Sequence, residues 1–271
     1  MRAKLSAIMV VFLVKFVYAD GFEANSSLNS NSINTKALIT LALQYKKGKG
    51  VKKDYIKSLN YFLLASQKGS VEAKNYLGII YLKGLGVEQN YNKAKDYFEE
   101  ASKAGNLKAL NNLAFIYANG YGVLKDYSRA IKYYRQSAIS GNAAALYNLG
   151  LLIEEGKGVR KNYKIAAKFY KMAANKNHAL AEANLAIMYL KGRGVKQSYK
   201  EALKLLKSAA KKGNISALNT LGYMFVMGKG VKRSKIVAYR FWKKAAQLGS
   251  HSAQKNLKIL CKENRKICLG R

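Results

Sequence analysis

Few side chains in this 271-residue chain could carry out catalysis or hold a metal. Histidine occurs twice, at His178 and His251. Neither sits in an H-E-x-x-H or zinc-ligand spacing, and both are expected to be solvated loop residues. The two cysteines, Cys261 and Cys268, cannot by themselves complete a metal site. No metal and no cofactor are therefore expected. The spacing S-x-x-K occurs at Ser208-Ala209-Ala210-Lys211 and at Ser252-Ala253-Gln254-Lys255. In serine enzymes that act on β-lactams this lysine helps activate the serine, with S-D-N and K-T-G elements completing the site. Both companions are missing here, and a chain this rich in lysine produces such spacings by chance. Glu99-Glu100 and Glu154-Glu155 are adjacent glutamates. Neighbours on a helix point in different directions, so neither is a ready acid/base pair. The stretch 46–51, KKGKGV, looks like a phosphate loop. A nucleotide loop needs G-x-x-x-x-G-K-[ST] between a strand and a helix, and neither spacing nor context is present.

The glycines of that stretch belong to a longer pattern. Gly-x-Gly-Val recurs at Gly48, Gly84, Gly120, Gly156, Gly192 and Gly228, always 36 residues apart. Repetition at such a period marks a tandem-repeat architecture. Leucines keep the same step at Leu41, Leu77, Leu113, Leu149, Leu185, Leu221 and Leu257. One alanine column runs Ala37, Ala73, Ala109, Ala145, Ala181, Ala217 and Ala253. Another runs Ala94, Ala130, Ala166, Ala202 and Ala238, with Ser58 in the first place. Aromatic pairs follow it, except that the fifth copy carries Leu205-Leu206. A further glycine column is Gly69, Gly105, Gly141, Gly213 and Gly249, with Asn177 holding one place.

These columns resolve each repeat into two helices. Ala73, Leu77, Ile80 and Tyr81 share one helical face, and Gly84 ends that helix. A second helix starts near Asn90, carries Ala94, Tyr97, Phe98 and Ala101 inward, and stops at Gly105. Such narrow stripes are buried only when neighbouring pairs stack. Thirteen helices are expected between Asn34 and Leu260, and the lack of proline suits them. The fixed phase of the tyrosines assigns them to core packing before any ligand stacking.

The segment Ala73–Ala94, AKNYLGIIYLKGLGVEQNYNKA, resembles the Sel-one-like repeat (SLR), a longer relative of the tetratricopeptide repeat. The resemblance covers about residues 34–260. It implies an all-α, right-handed α-solenoid whose first helices line a concave groove for peptides or proteins. On the family's groove positions stand Asn75, Asn111, Tyr147 and Asn219, with Ala183 breaking the series. One turn further on come Lys83, Asn119, Glu155 and Lys191. Adaptor roles in signalling, envelope assembly or host contact are what the family suggests. Some exported SLR proteins are cysteine-rich and are described as β-lactamases or penicillin-binding proteins. This chain has alanines and serines where those have bridging cysteines.

The first 19 residues read as a bacterial-type secretory signal: Arg2 and Lys4, then a short apolar run from Leu5 that ends at Lys15, then Val17-Tyr18-Ala19. A secreted or periplasmic location follows as an expectation. Residues 20–33, rich in Ser and Asn, read as a flexible spacer, and 261–271 as a terminal cap. The whole chain has a formal charge of +35; loss of the leader leaves +32. Such a surface favours acidic partners, either a protein or an acidic envelope or host polysaccharide. Nucleic acid is not an expected partner of an exported protein, and no segment after the leader approaches the length of a membrane span.

Export also bears on the cysteines. If the helix ran on through both, about 10 Å would separate their Cα atoms, too far for a bond. A turn at Asn264, which stands at the first glycine position of the motif, would bring them together and staple the last helix.

Overall fold

Asparagine, aspartate or serine precedes most of the amphipathic stretches, and glycine follows every other one. The computed structural model, which describes residues 34–268, shows how each local signal acts. The helices are α1 (Thr35–Lys47), α2 (Tyr55–Gln67), α3 (Val71–Lys83), α4 (Tyr91–Lys103), α5 (Leu107–Asn119), α6 (Tyr127–Ile139), α7 (Ala143–Glu155), α8 (Tyr163–Ala174), α9 (Ala179–Lys191), α10 (Tyr199–Lys211), α11 (Ile215–Met227), α12 (Lys235–Gln247), α13 (His251–Glu263) and the single-turn α14 (Arg265–Cys268). Thirteen match the expected elements and α14 is added at the end. Among the described residues there is no strand. The expected leader (1–19) and spacer (20–33), and residues 269–271 of the cap, lie outside the described residues.

Caps fix the helix boundaries. Asn90 extends its backbone and accepts a bond from Lys93 N, and Asp126 and Asn162 repeat this three residues before their own partners. Such side chains satisfy amide groups that the first helical turn leaves unpaired, each contributing about 1 kcal/mol. The first helix of each pair ends on a left-handed glycine, as at Gly84 with φ +63°. The chain then doubles back, and Asn90 N donates to Tyr81 O at 2.9 Å. The same closure joins Asp54 to Tyr45, Asn162 to Ile153 and Ser198 to Tyr189. Asn177, standing in a glycine column, adopts φ +62°, a conformation asparagine tolerates better than most residues.

The helices form an α-solenoid of tandem helix-turn-helix repeats, in two compact units that divide after Ile116. In the first unit Leu38, Phe62, Leu77 and Phe98 are fully buried and the alanines at 73 and 94 let the helices approach closely. In the second, Tyr134, Leu149, Tyr170, Leu206 and Leu221 do the same work around Ala166, Ala202 and Ala217. The second member of each aromatic pair enters the core. The first member stacks on the residue sixteen positions earlier, as in Tyr45–Tyr61, Tyr81–Tyr97 and Phe225–Phe241, each 5.7 Å between centroids. Burial of Tyr97, with the Tyr81 and Glu100 charges adding to it, pushes its phenol up to about 12.

Asn264 ends α13 and redirects the chain into α14. This turn brings the Cys261 and Cys268 Cα atoms to 5.7 Å, and the two sulfurs are joined in a disulfide. No described helix is long and apolar enough to cross a membrane.

Candidate functional site

The groove positions named from the sequence are used within the solenoid itself. In the first unit Asn75 is buried, and its Oδ1 accepts a bond from Asn112 Nδ2 at 2.8 Å. Asn111 is half-buried; its amide donates to Asn112 at 3.4 Å and its oxygen is buried without a partner. In the second unit Asn256 Nδ2 donates to Asn219 Oδ1 at 3.1 Å, across the same 37-residue interval. Tyr147 packs between Tyr170 and the His178 ring, at 5.7 and 4.9 Å. Asn75 and Asn219 thus each link their helix to the first helix of the following repeat.

One turn further along, Lys83, Asn119, Glu155 and Lys191 are all exposed at the ends of their helices. Glu155 pairs with Lys157 at 2.6 Å. Its neighbour Glu154 points elsewhere and accepts from the Tyr170 hydroxyl at 2.7 Å. Glu99 and Glu100 likewise part, the first towards Lys95 and the second to Lys74 at 2.7 Å.

His178 is not a solvated loop residue. It is the N-cap of α9, with Nδ1 accepting from Ala181 N at 3.3 Å. The proton of the neutral ring therefore sits on Nε2. Burial holds its pKa below the ordinary histidine value; the nearby Glu182 opposes this and Lys212 adds to it. His251, the first residue of α13, is exposed.

Around Glu182 the repeat pattern breaks in several places at once. At equivalent positions Leu38, Leu146 and Leu218 are buried to 1% exposure, while Lys74 and Gln254 stand in two other copies. Glu182 is buried too, at 4%. Its Oε1 accepts from Lys212 Nζ at 2.6 Å and from the Ser208 hydroxyl at 2.9 Å. Lys212 also donates to the Asn177 carbonyl at 3.1 Å, so the residue that replaces a glycine joins the cluster. Ser208 thus spends its hydroxyl proton on a glutamate rather than on Lys211 of its S-x-x-K spacing. Ser252 and Lys255 are both exposed on α13.

Beside this cluster, between α8, α9 and α10, lies a pocket of about 300 Å³. Leu185, Tyr189 and Leu205 give it an apolar wall. Leu205 stands where other repeats place an aromatic ring on the sixteen-residue stack. Removing that ring leaves the space open. Glu182 and Ser208 line it, and its Oε2 is buried with no hydrogen-bond partner. The sequence alone offers a weak signal for this cluster, a glutamate in a column that holds leucine at 38, 110, 146 and 218 but Lys74 and Gln254 in two other copies. That signal emerges only when the column directly after the repeated alanine (Ala181) is read for its exceptions. Among the described residues no group of three or more His, Cys, Asp or Glu is placed to hold a metal.

The family model of the Sel1 repeat matches residues 35–70, 71–106, 107–142, 143–178, 179–214 and 215–250. A Sel1 repeat protein from Oxalobacter formigenes is 31% identical in solved structure, with a TM-score of 0.75 over 82% of this chain and 91% of that one. An antigen of uropathogenic Escherichia coli, described as protective and as displaying an SLR fold, is 30% identical with a TM-score of 0.68; the match covers 85% of this chain and 49% of that one. An immunity protein of Pseudomonas aeruginosa, Pa5087, shares the fold at 18% identity, with a TM-score of 0.57 over 83% of this chain and 84% of that one. No curated protein matches the chain. Sel1 repeat proteins are generally scaffolds for protein interaction. With six consecutive 36-residue units in register, the chain belongs to the Sel1 repeat family.

Proposed function

We propose that the protein is an exported scaffold that binds an acidic protein or peptide along the exposed ends of its first helices. The observation that carries this reading is the recurrence of Lys83, Asn119, Glu155 and Lys191, all solvent-exposed, at one register of successive repeats. Side chains repeated at a fixed step suit an extended partner better than a single small molecule. The neighbouring column of Asn75 and Asn219 supports that surface from below, because its amides are committed to holding consecutive helices together.

Charge supports the choice of partner. Even if each of the 14 carboxylates held one cation, 32 would remain after loss of the leader. That excess accelerates encounter with anionic surfaces and weakens as salt screens it. An acidic polysaccharide would meet the same field. A secreted or periplasmic site of action is consistent with the Cys261–Cys268 bond, since such bonds persist in oxidising compartments. The β-lactam reading taken from exported relatives has no comparable support, because Ser208 is bonded to Glu182.

Capture of partners from envelope extracts at increasing salt tests the proposal. A discrete, saturable protein partner held at about 0.15 M salt supports it. Binding that never saturates and vanishes at that salt reduces the charge to non-specific adhesion.

A further inference from the structure

Like charges crowded on one face of a helix repel and weaken it unless opposite charge relieves them. On α8, Lys164, Lys168 and Lys171 follow one another at four and three residues, so they share a face, and all three are exposed. On α10 the same face carries Lys200, Lys204, Lys207 and Lys211, again all exposed. The flanking second helices add Lys132 and Arg135 on α6, and Arg240 and Lys243 on α12, at equivalent positions. No carboxylate shares these positions on the four helices. Among the described residues none of these cations pairs with an acid. Glu201 lies one turn before Lys204, on the flank of the face, where it is half-buried. α8, α10 and α12 each pack between the first helix of their own repeat and that of the next, and α6 packs on α7. The basic face of each therefore turns outward on one side of the second unit.

The repeat does not require this charge. In the first unit the same positions hold Asn60 and Leu63 on α2, and Asp96 and Glu99 on α4. There Lys95 pairs with both acids, the mixture of signs that a solvated helix face ordinarily carries. Residues 117–271 hold 32 Lys and Arg against 6 Asp and Glu. Two large apolar side chains share the outward face as well. Ile139 on α6 is 88% exposed and Ile236 on α12 is 54% exposed, both in line with the cations of their helices.

We infer that this face of the second unit binds the surface of an anionic lipid bilayer. Cations spread over four helices form a two-dimensional array, which matches a field of lipid phosphates; a linear polyanion meets one row at a time. Each basic side chain near such a surface adds to the attraction, and clusters of about 4–8 suffice for recognition. The isoleucines complete the match, because apolar side chains are stabilised at the boundary between headgroups and acyl chains. A hydrated polysaccharide offers them no such boundary. The face lies on second helices and is separate from the first-helix ends assigned to the protein partner, so either can fail without the other.

Co-sedimentation of the full chain with vesicles tests the inference. At about 0.15 M salt, vesicles of phosphatidylcholine with about 30% phosphatidylglycerol should hold the protein about tenfold or more tightly than phosphatidylcholine alone. Lys168→Glu, Lys171→Glu, Lys204→Glu and Lys207→Glu together should weaken that binding by about tenfold or more. The control set is Lys52→Glu, Lys125→Glu, Lys196→Glu and Lys232→Glu, exposed lysines in the turns between paired helices. It changes net charge equally and should weaken binding by less than about threefold. All eight lysines are exposed, so both variants should keep the wild-type melting temperature. Ile139→Ser with Ile236→Ser should weaken vesicle binding by about threefold or more, and leave binding to polygalacturonate, a soluble acidic polysaccharide, unchanged. Equal loss from the two lysine sets would reduce the array to bulk charge and overturn the inference. So would failure to bind the anionic vesicles. Polygalacturonate bound as tightly as those vesicles, with the isoleucine changes silent on both, would assign the face to acidic polysaccharide instead.

Discussion

Asn112 Nδ2 donates to Asn75 Oδ1 at 2.8 Å, joining the first helices of two consecutive repeats through residues 37 positions apart. Asn256 and Asn219 form the same link in the second unit. These amides stabilise the stacking of repeats. Apolar stripes can slide by small amounts at modest cost, whereas a hydrogen-bonded amide pair forms in one register.

The first prediction concerns that link. Asn112→Ala leaves the Asn75 oxygen buried and unpaired, and should cost about 1–3 kcal/mol. Asn75→Ala with Asn112→Ala should cost less than the two single changes added together. Denaturant midpoints of the four proteins check this; strict additivity would show that the bond contributes nothing.

A second prediction follows from helix approach. A Cβ on Gly150 would lie 2.8 Å from the Tyr170 ring. Tyr170 is fully buried and anchored by Glu154 and Asn184, so it cannot easily withdraw. Gly150→Ala should destabilise by about 1–3 kcal/mol through overpacking, despite alanine's better helix propensity. Thermal melting gives the answer, and an unchanged or raised midpoint would mean that the ring yields freely.

Acid should weaken the α9 terminus. The His178 pKa is lowered in the folded protein, chiefly by burial. The unfolded chain therefore takes up the proton first as pH falls from about 6.5. The contribution to stability is complete above that pH and is lost as pH drops through the folded value. Protonation also removes the Nδ1 acceptor used by Ala181 N. His178→Asn keeps a capping side chain, as Asn142 and Asn214 do in their repeats. Titration of His178 by NMR should give a midpoint below 6.5, and the asparagine variant should melt with a flatter pH dependence between about pH 5 and 7.

The disulfide should matter most at the end it closes. Cys261→Ser with Cys268→Ser opens a short loop, and the chain-entropy model puts its contribution near 2 kcal/mol. The loss should appear as faster amide exchange in α13 and α14, with α3 to α5 unaffected. Uniform loss of protection across the chain would contradict a local staple.

Much of this fold could be read from the sequence because one physical requirement recurs every 36 residues. Each Gly-x-Gly turn needs left-handed backbone, and close helix contacts need a small residue, alanine at most columns and glycine at Gly78, Gly150 and Gly222. Boundaries such as Asn90 and Gly84 are therefore visible as columns. The turn at Asn264 was legible because Asn264 holds a glycine position, although it turns the chain with φ −142° and without left-handed backbone. The groove was less legible. Asn75 and Asn219 look like surface amides from their spacing, yet their partners come from the next repeat, and only three-dimensional stacking shows which face they point to. His178 looked like a loop residue because histidine is an uncommon cap. Glu182 went unread because its partners, Ser208 and Lys212, are 26 and 30 residues away on another helix. The second repeat holds a counterpart at the same two positions, Lys74 on Glu100 at 2.7 Å, so the position of the pairing recurs while its residue types do not.

The scaffold reading is tested most directly by photo-crosslinking from single positions at about 0.15 M salt. Photoreactive side chains replace Lys83 or Lys191 at the ends of first helices, or Lys103 or Lys211 at the ends of second helices; all four lysines are exposed. The predicted result is a discrete acidic protein attached from positions 83 and 191, competed away by unlabelled protein, with little or none from 103 and 211. Equal labelling from all four positions, or no discrete product from the first helices, would contradict it.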